Sequence, residues 1–313
     1  MENQEKNAIE ILNMLCANSG CVISDSGGKD SSVLKHIARK CKDKYGLNFS
    51  IQHNHTTVDA PETVYFVRKE KQRYETEGVK YDILYPKRTM WQLIVDHCTP
   101  PTRVMRYCCA DLKEYSGHGE KLVTGVRKAE SKNREKNQGV VTFPKPKKEL
   151  KEKTKNNQNF IQTDKGGVVL FNLDNAENRQ IVEHCYRTSK VLINPLIDWE
   201  DDFLWWYIKH ENIELNPIYC CGKMRVGCIG CPMAGDKRWE EFERYPKYKQ
   251  AYIRAFDRML KEREKRGLEN KAKWSTGLKV FKWWMQDDNI DGQMRMDAYG
   301  NVFEEYGEND WRF

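Results

Sequence analysis

The chain has 313 residues and a mass of 37.0 kDa, with 39% hydrophobic and 32% charged residues and a formal net charge of +7. That size allows one large or two small domains around a sizeable core, and the balance excludes a disordered or fibrous chain. No run of about 18 apolar residues occurs, and the start lacks the basic-then-apolar order of a signal peptide, so a cytoplasmic protein without a membrane partner is expected.

Residues 21–24 read as a short buried strand, and residues 30–42 as the helix after it. A second strand is expected over 48–53. Pro61 suits the first position of a helix reaching about residue 77. Residues 81–85 predict a third strand, 90–98 a short helix, 122–126 a fourth strand and 190–193 another. Strand–helix alternation with short connections predicts an α/β fold, a Rossmann-like parallel sheet covered by helices. Residues 131–187 break the pattern. Lys145, Lys147, Lys148, Lys151, Lys153 and Lys155 crowd this stretch, which reads as a mobile basic insertion flanked by short strands. Such a run is either a solvated loop or a contact for a phosphate backbone. Asp198 is read as the cap of a helix carrying Phe203, Leu204, Trp205, Trp206 and Ile208. Beyond residue 236 the chain reads as helical, with the tryptophans from Trp274 to Trp284 as core. A nucleotide-binding domain over 1–198 and a helical C-terminal region over 199–313 are therefore expected.

The densest chemistry lies at Ser24-Asp25-Ser26-Gly27-Gly28-Lys29-Asp30-Ser31-Ser32, between the first strand and the first helix after it. Glycines let backbone N–H groups approach phosphate oxygens, and a helix N-terminus adds partial positive charge. Lys29 offers a cation, Asp30 a magnesium ligand, and Ser26 and Ser31 hydrogen bonds. The order is not that of a Walker loop.

This loop is similar to the SGGKDS signature of the PP-loop ATP pyrophosphatases. Further matches resemble the phosphoadenosine phosphosulfate (PAPS) reductase family of that superfamily. They are His55-Thr56-Thr57-Val58-Asp59-Ala60-Pro61-Glu62-Thr63, then Pro100-Pro101-Thr102-Arg103 with Arg106-Tyr107-Cys108-Cys109-Ala110-Asp111-Leu112-Lys113-Glu114. Thr124-Gly125-Val126-Arg127 with Glu130, Ser131 and Arg134, and Asn194-Pro195-Leu196-Ile197-Asp198-Trp199, complete the set. The matches run from about residue 20 to residue 233. They imply an adenine nucleotide α-hydrolase-like fold and cleavage of ATP, with Mg²⁺, between its α and β phosphates. Ser24, Ser26, Gly27, Gly28, Lys29, Asp30, Ser31, Gly125 and Arg127 are then expected to bind nucleotide, with Lys29 and Asp30 catalytic. Arg103, Arg106, Arg127 and Arg134 are candidates for gripping phosphate, sulfate or nucleic-acid oxygens.

Eleven cysteines in a reducing compartment point to metal or sulfur chemistry rather than disulfides. Cys108-Cys109 and Cys228-Ile229-Gly230-Cys231 carry the strongest signal, because a C-x-x-C bite lets two thiolates hold one centre. The adenylylsulfate-reductase branch of the family implies a [4Fe-4S] cluster on these four, and Lys113 matches a lysine of that branch. Cys220 or Cys221 with Cys228, Cys231 and Cys109 is the alternative set, similar to that of DNA-phosphorothioation members. Structural zinc is the alternative metal. Cys16, Cys21, Cys41, Cys98 and Cys185 read as small buried hydrophobes. The histidines show no ligand spacing, and His53 and His55 read as structural.

Three functions follow from the resemblance. An ATP pyrophosphatase would adenylylate an acceptor, DNA or tRNA, for sulfur delivered by a partner such as a cysteine desulfurase. A sulfonucleotide reductase needs a nucleophilic cysteine near the C-terminus, and no cysteine follows Cys231 in this sequence. A nucleotide-sensing regulator would keep the fold without turnover. The first is the expected one.

Overall fold

The structure is a computed structural model describing residues 2–114, 119–164, 166–171, 173, 175–185, 189–222, 225–270, 274–285, 295–296 and 302–303. In chain order its elements are α1 (Glu2–Cys16), β1 (Cys21–Asp25), α2 (Lys29–Tyr45), β2 (Phe49–Asn54), α3 (Pro61–Thr76), β3 (Tyr81–Leu84), α4 (Met90–Asp96) and α5 (Tyr107–Leu112). There follow β4 (Lys121–Val123), α6 (Lys132–Asn137), β5 (Val141–Phe143), α7 (Lys148–Thr154), β6 (Phe160–Gln162), β7 (Val168–Leu170), α8 (Ala176–Cys185), β8 (Val191–Ile193) and α9 (Asp201–His210). The last helices are α10 (Lys237–Arg244), α11 (Pro246–Lys265) and α12 (Gly277–Met285).

Two compact units divide these elements. One comprises Met1–Lys87 and Cys109–Cys228, the other Arg88–Cys108 and Ile229–Phe313. α9 buries Leu204, Tyr207 and Ile208 in the same core as Trp199 and the sheet, so it belongs to the first unit.

The first unit is built on one eight-stranded sheet of order β3-β2-β1-β4-β8-β5-β7-β6. From β3 to β8 the strands run parallel, with Cys21 opposite Phe49 and Asp25 opposite His53. Val22 and Ile23 are both buried, as a strand covered on both faces requires. α1 places Ala8, Ile11, Leu12, Leu15 and Cys16 on one buried face at helical spacing. α2 stops at Gly46, whose φ of 73° is left-handed and whose N–H donates to the Lys42 carbonyl. This is the expected Rossmann-like α/β fold.

The basic insertion differs from the expected loop. β5, β7 and β6 extend the sheet in antiparallel pairs, with β5 laid against β8. Val141, Phe143, Val168, Val169 and Leu170 are buried there, so the segment folds on its apolar residues while most of its lysines stay in solvent.

The second unit packs α4, α10, α11 and α12 around aromatic side chains. Phe242, Tyr252, Phe256, Phe281 and Trp284 are buried and form one cluster, with neighbouring ring centroids 4.8–6.1 Å apart. Trp274 is buried as well, as core tryptophans should be. No helix among the described residues is long and apolar enough to cross a membrane.

Candidate active site

In the first unit, β1, β2 and β4 end on the same edge of the parallel sheet, where open α/β sheets bind ligands. β1 runs into the loop at Asp25. The chain turns at Gly27, where φ is +70° and a Cβ would lie 3.0 Å from Thr63 Cγ2, so only glycine fits. Asp25 Oδ1 accepts the Gly27 N–H at 2.8 Å, while its Oδ2 accepts from Lys35 Nζ at 2.7 Å and from the Tyr81 hydroxyl. Lys35 also reaches Glu70 at 3.0 Å. Burial opposes ionisation of Asp25, but Lys35 outweighs it and holds the carboxyl well below the usual carboxylate range. Asn216 fixes the other side of the turn, donating to the Gly27 carbonyl at 3.1 Å and to Thr63 Oγ1 at 3.0 Å.

Gly28 caps α2. Its N–H points to Ser31 Oγ at 3.2 Å and Ser26 Oγ at 3.3 Å, and the Ser31 hydroxyl donates back to the Gly28 carbonyl at 2.9 Å. The next N–H, that of Lys29, donates to the Tyr219 hydroxyl at 2.8 Å. Burial pushes the Tyr219 phenol up to about 12, so it stays neutral.

Behind the loop four charges interlock. Lys29 Nζ lies 3.0 Å from Asp30 Oδ2 and 3.8 Å from Asp201 Oδ1. Arg127, fully buried, donates to Asp30 Oδ1 and to Asp201 Oδ1 at 2.6 Å each, and to the Trp199 carbonyl at 2.9 Å. The hydrogen bond from Arg127 lowers the Asp201 pKa. Two carboxylates and a carbonyl accept from Arg127, so it also positions Asp30. Arg134 is half-buried and ion-pairs with Glu130. Burial and the nearby Arg225 lower its pKa, against the pull of Asp30. Arg103 and Arg106 lie exposed in the second unit, where Arg103 Nε donates to the Pro232 carbonyl at 3.1 Å.

Gly125, just past β4, is pressed against the loop. A Cβ there would stand 2.9 Å from the Asp30 carbonyl carbon and oxygen. Gly125→Ala is expected to displace Asp30, weakening ATP binding about tenfold and costing about 1–3 kcal/mol of stability. Equilibrium binding and a thermal melt check both figures, and unchanged affinity would separate Gly125 from the nucleotide site.

Cys108, Cys109, Cys228 and Cys231 are half-buried, whereas Cys16, Cys21, Cys41, Cys98 and Cys185 are buried as expected. Burial pushes the Cys41 thiol up to about 11, which keeps it protonated. Cys109 and Cys228 belong to the first unit, Cys108 and Cys231 to the second. Cys220 is exposed in the 3-10 turn Pro217–Cys221, and the Cys221 side chain lies outside the described part. Lys113 follows α5, exposed, and its carbonyl accepts from Asn54 Nδ2 at 2.7 Å.

Several residues of this site escape sequence reasoning. Asp201, Asn216 and Tyr219 lie far along the chain from the loop that they contact. Only the acidic pair Asp201-Asp202 at the start of α9 stands out in the sequence. His53, His55 and Asp59 also converge, each offering one donor atom within 4.8 Å of the others. A His-x-His pair at a strand end, with an aspartate four residues on, was the available signal, because alternate residues of a strand share a face.

The phosphoadenosine phosphosulfate reductase domain matches residues 20–234, and the chain belongs to that family of the PP-loop superfamily. An uncharacterized protein of Methanocaldococcus jannaschii is 25% identical over 246 residues, 75% of this chain and 48% of that one. Adenosine 5'-phosphosulfate reductase of Allochromatium vinosum is 38% identical over 42 residues, 13% of this chain and 16% of that one. The chain thus spans about half the length of the first relative and less of the second. Among solved structures, PAPS reductase of Candida auris in a phosphate complex aligns with a TM-score of 0.44 and 14% identity, over 72% of this chain and 93% of that one. The U34-tRNA thiolase NcsA of Methanococcus maripaludis, with its [4Fe-4S] cluster, aligns with a TM-score of 0.39 and 11% identity over 87% and 82%.

Proposed function

We propose that this chain is an ATP pyrophosphatase that adenylylates an acceptor, a nucleic acid, for sulfur transfer. The observation that carries the reading is the loop itself. Gly27 turns it, Gly28 and Lys29 direct N–H groups from the start of α2, and Lys29 and Asp30 stand at the first turn. Those N–H groups now meet the hydroxyls of Ser26, Ser31 and Tyr219, neutral groups that phosphate oxygens can displace.

An acceptor oxygen attacks the α-phosphorus of ATP, the bond to the β-phosphate oxygen breaks, and pyrophosphate leaves. Lys29 and the α2 N-terminus offset charge on that leaving group. Sulfur then displaces AMP from the adenylylated acceptor. Asp30 and Asp201 form an oxygen-donor pair that suits Mg²⁺, which would neutralise phosphate charge. Four half-buried thiols, Cys108, Cys109, Cys228 and Cys231, have the donor chemistry for a [4Fe-4S] cluster, which would supply sulfur handling or redox poise. Arg134 and Arg225, like charges disfavouring one another, suit an anionic acceptor, DNA or tRNA. A cysteine desulfurase is the class of partner that supplies the sulfur.

The family match itself supports a second reading, reduction of a sulfonucleotide. One experiment separates them: titration of anaerobically purified protein with ATP–Mg²⁺, adenylylsulfate and phosphoadenylylsulfate. The expected result is at least a tenfold preference for ATP, with AMP and pyrophosphate appearing when acceptor is added. Tighter sulfonucleotide binding would replace this reading with the second. ATP binding without AMP formation on any nucleic acid would favour a regulator.

A further inference from the structure

β2 ends at Asn54, and the chain carries His53 and His55 off the sheet edge on the same side. His53 is buried, and its Nδ1 donates to the Asp25 carbonyl at 2.9 Å. That bond fixes the ring and its tautomer, leaving Nε2 with its lone pair. The His55 ring stands edge-on to Tyr85 at 5.1 Å, and its Nδ1 lies 2.8 Å from Asp59 Oδ2. Asp59 is buried and is held by the Thr56 N–H at 2.7 Å and the Thr56 hydroxyl at 2.6 Å. Thr57, between these groups, has a φ of +65°, a strained conformation for a β-branched residue. The segment accepts that strain in a conformation that turns His55 and Asp59 toward each other.

We propose that His53, His55 and Asp59 form a mononuclear site for a divalent transition metal of the zinc type, at the mouth of the nucleotide loop. Two imidazoles and a carboxylate are the ligand set of three-coordinate protein sites that keep a further position open. One donor atom from each of the three residues lies within 4.8 Å of the others, and His55 is partly exposed. Asp25 ties the site to the loop, since its carbonyl orients His53 while its carboxylate holds the Gly27 N–H. The open position would take an oxygen or sulfur of the acceptor, close to where the nucleotide is held. The proposed site is distinct from the cysteine set. Cys228 is a neighbour, with its Sγ 3.5 Å from Thr56 Oγ1 and its backbone bridged to Asp59, but the trio needs no thiolate.

The test is the zinc content of the full chain after dialysis against a weak competing chelator. His55→Gln and Asp59→Asn are each expected to lose one equivalent per chain, and Cys228→Ser to keep it. Added Zn²⁺ should raise the melting temperature of the wild type and leave that of His55→Gln unmoved. Zinc content unchanged in His55→Gln, or an equivalent lost only in Cys228→Ser, would overturn the site. Should both histidine-site variants fail to fold, the wild type decides. Titrated with Co²⁺ after its accessible thiols are alkylated, it should show visible d–d bands, and their absence would refute the assignment. None of these readouts depends on ATP turnover, so the site can fail while the adenylylation reading stands, and the reverse.

Discussion

Lys29→Ala is expected to abolish AMP formation from ATP, by at least 10²–10³-fold, with the fold intact. Lys29 opens α2, and its amino group is nearly buried beside Asp30 and Asp201. It is the cation in the loop best placed to meet phosphate charge, because Arg127 is already committed to both carboxylates and to the Trp199 carbonyl. Without Lys29, two carboxylates face the nucleotide with one buried guanidinium between them, and charge developing on pyrophosphate goes unmet. Stability should change little. Arg127 still pairs with Asp30 and Asp201 after the change, so neither carboxylate is left without a cation. Lys29→Arg should fail to restore the rate, since a planar fork does not replace a compact ammonium in a tight loop. Chromatography of AMP against time, beside a thermal melt, decides the matter. Retained AMP formation in the alanine variant would take the loop out of the chemistry.

The loop was legible in the sequence because local rules agree there. A buried strand, two glycines and a helix follow one another, and Pro61 marks the start of a later helix. The antiparallel extension was not legible. β5, β6 and β7 are three residues each, too short for alternation to declare itself, and they sit among lysines that read as solvated. The pairing of β5 with β8 is non-local and leaves no local trace. The bond from Arg127 to Asp201, far along the chain, left no local trace for a related reason. Lys35 was invisible as well, since a lysine in a helix is ordinarily solvated and its two carboxylate partners lie on different elements.

That buried lysine carries the largest expected effect on stability. Lys35 is fully buried, and Lys35→Met keeps its bulk while removing its charge. Asp25 would then lose its lysine partner and Glu70 would keep only Arg73, a loss of about 3–5 kcal/mol. At roughly 2–4 °C per kcal/mol for a unit of this size, the melting temperature should fall by about 10 °C. The pH dependence separates lost charge from lost packing. The folded pKa of Asp25 lies below its unfolded value of about 3.9, so its contribution is whole above that value and fades as pH falls through the folded one. The folded pKa of Lys35 is raised, chiefly by Asp25 and Glu70 against the cost of burial, so its contribution is whole below about 10.4 and fades as pH rises through the folded value. Wild-type stability should therefore hold across neutral pH. In Lys35→Met the two carboxylates gain by taking up protons, so the gap from the wild type should be widest near neutrality and narrow on acidification. A gap independent of pH would mean that packing, not charge, was lost. Because Asp25 also holds the Gly27 N–H, the variant should bind ATP more weakly at a temperature where it is still folded. Its deficit in binding would then follow its deficit in stability through one shared carboxylate.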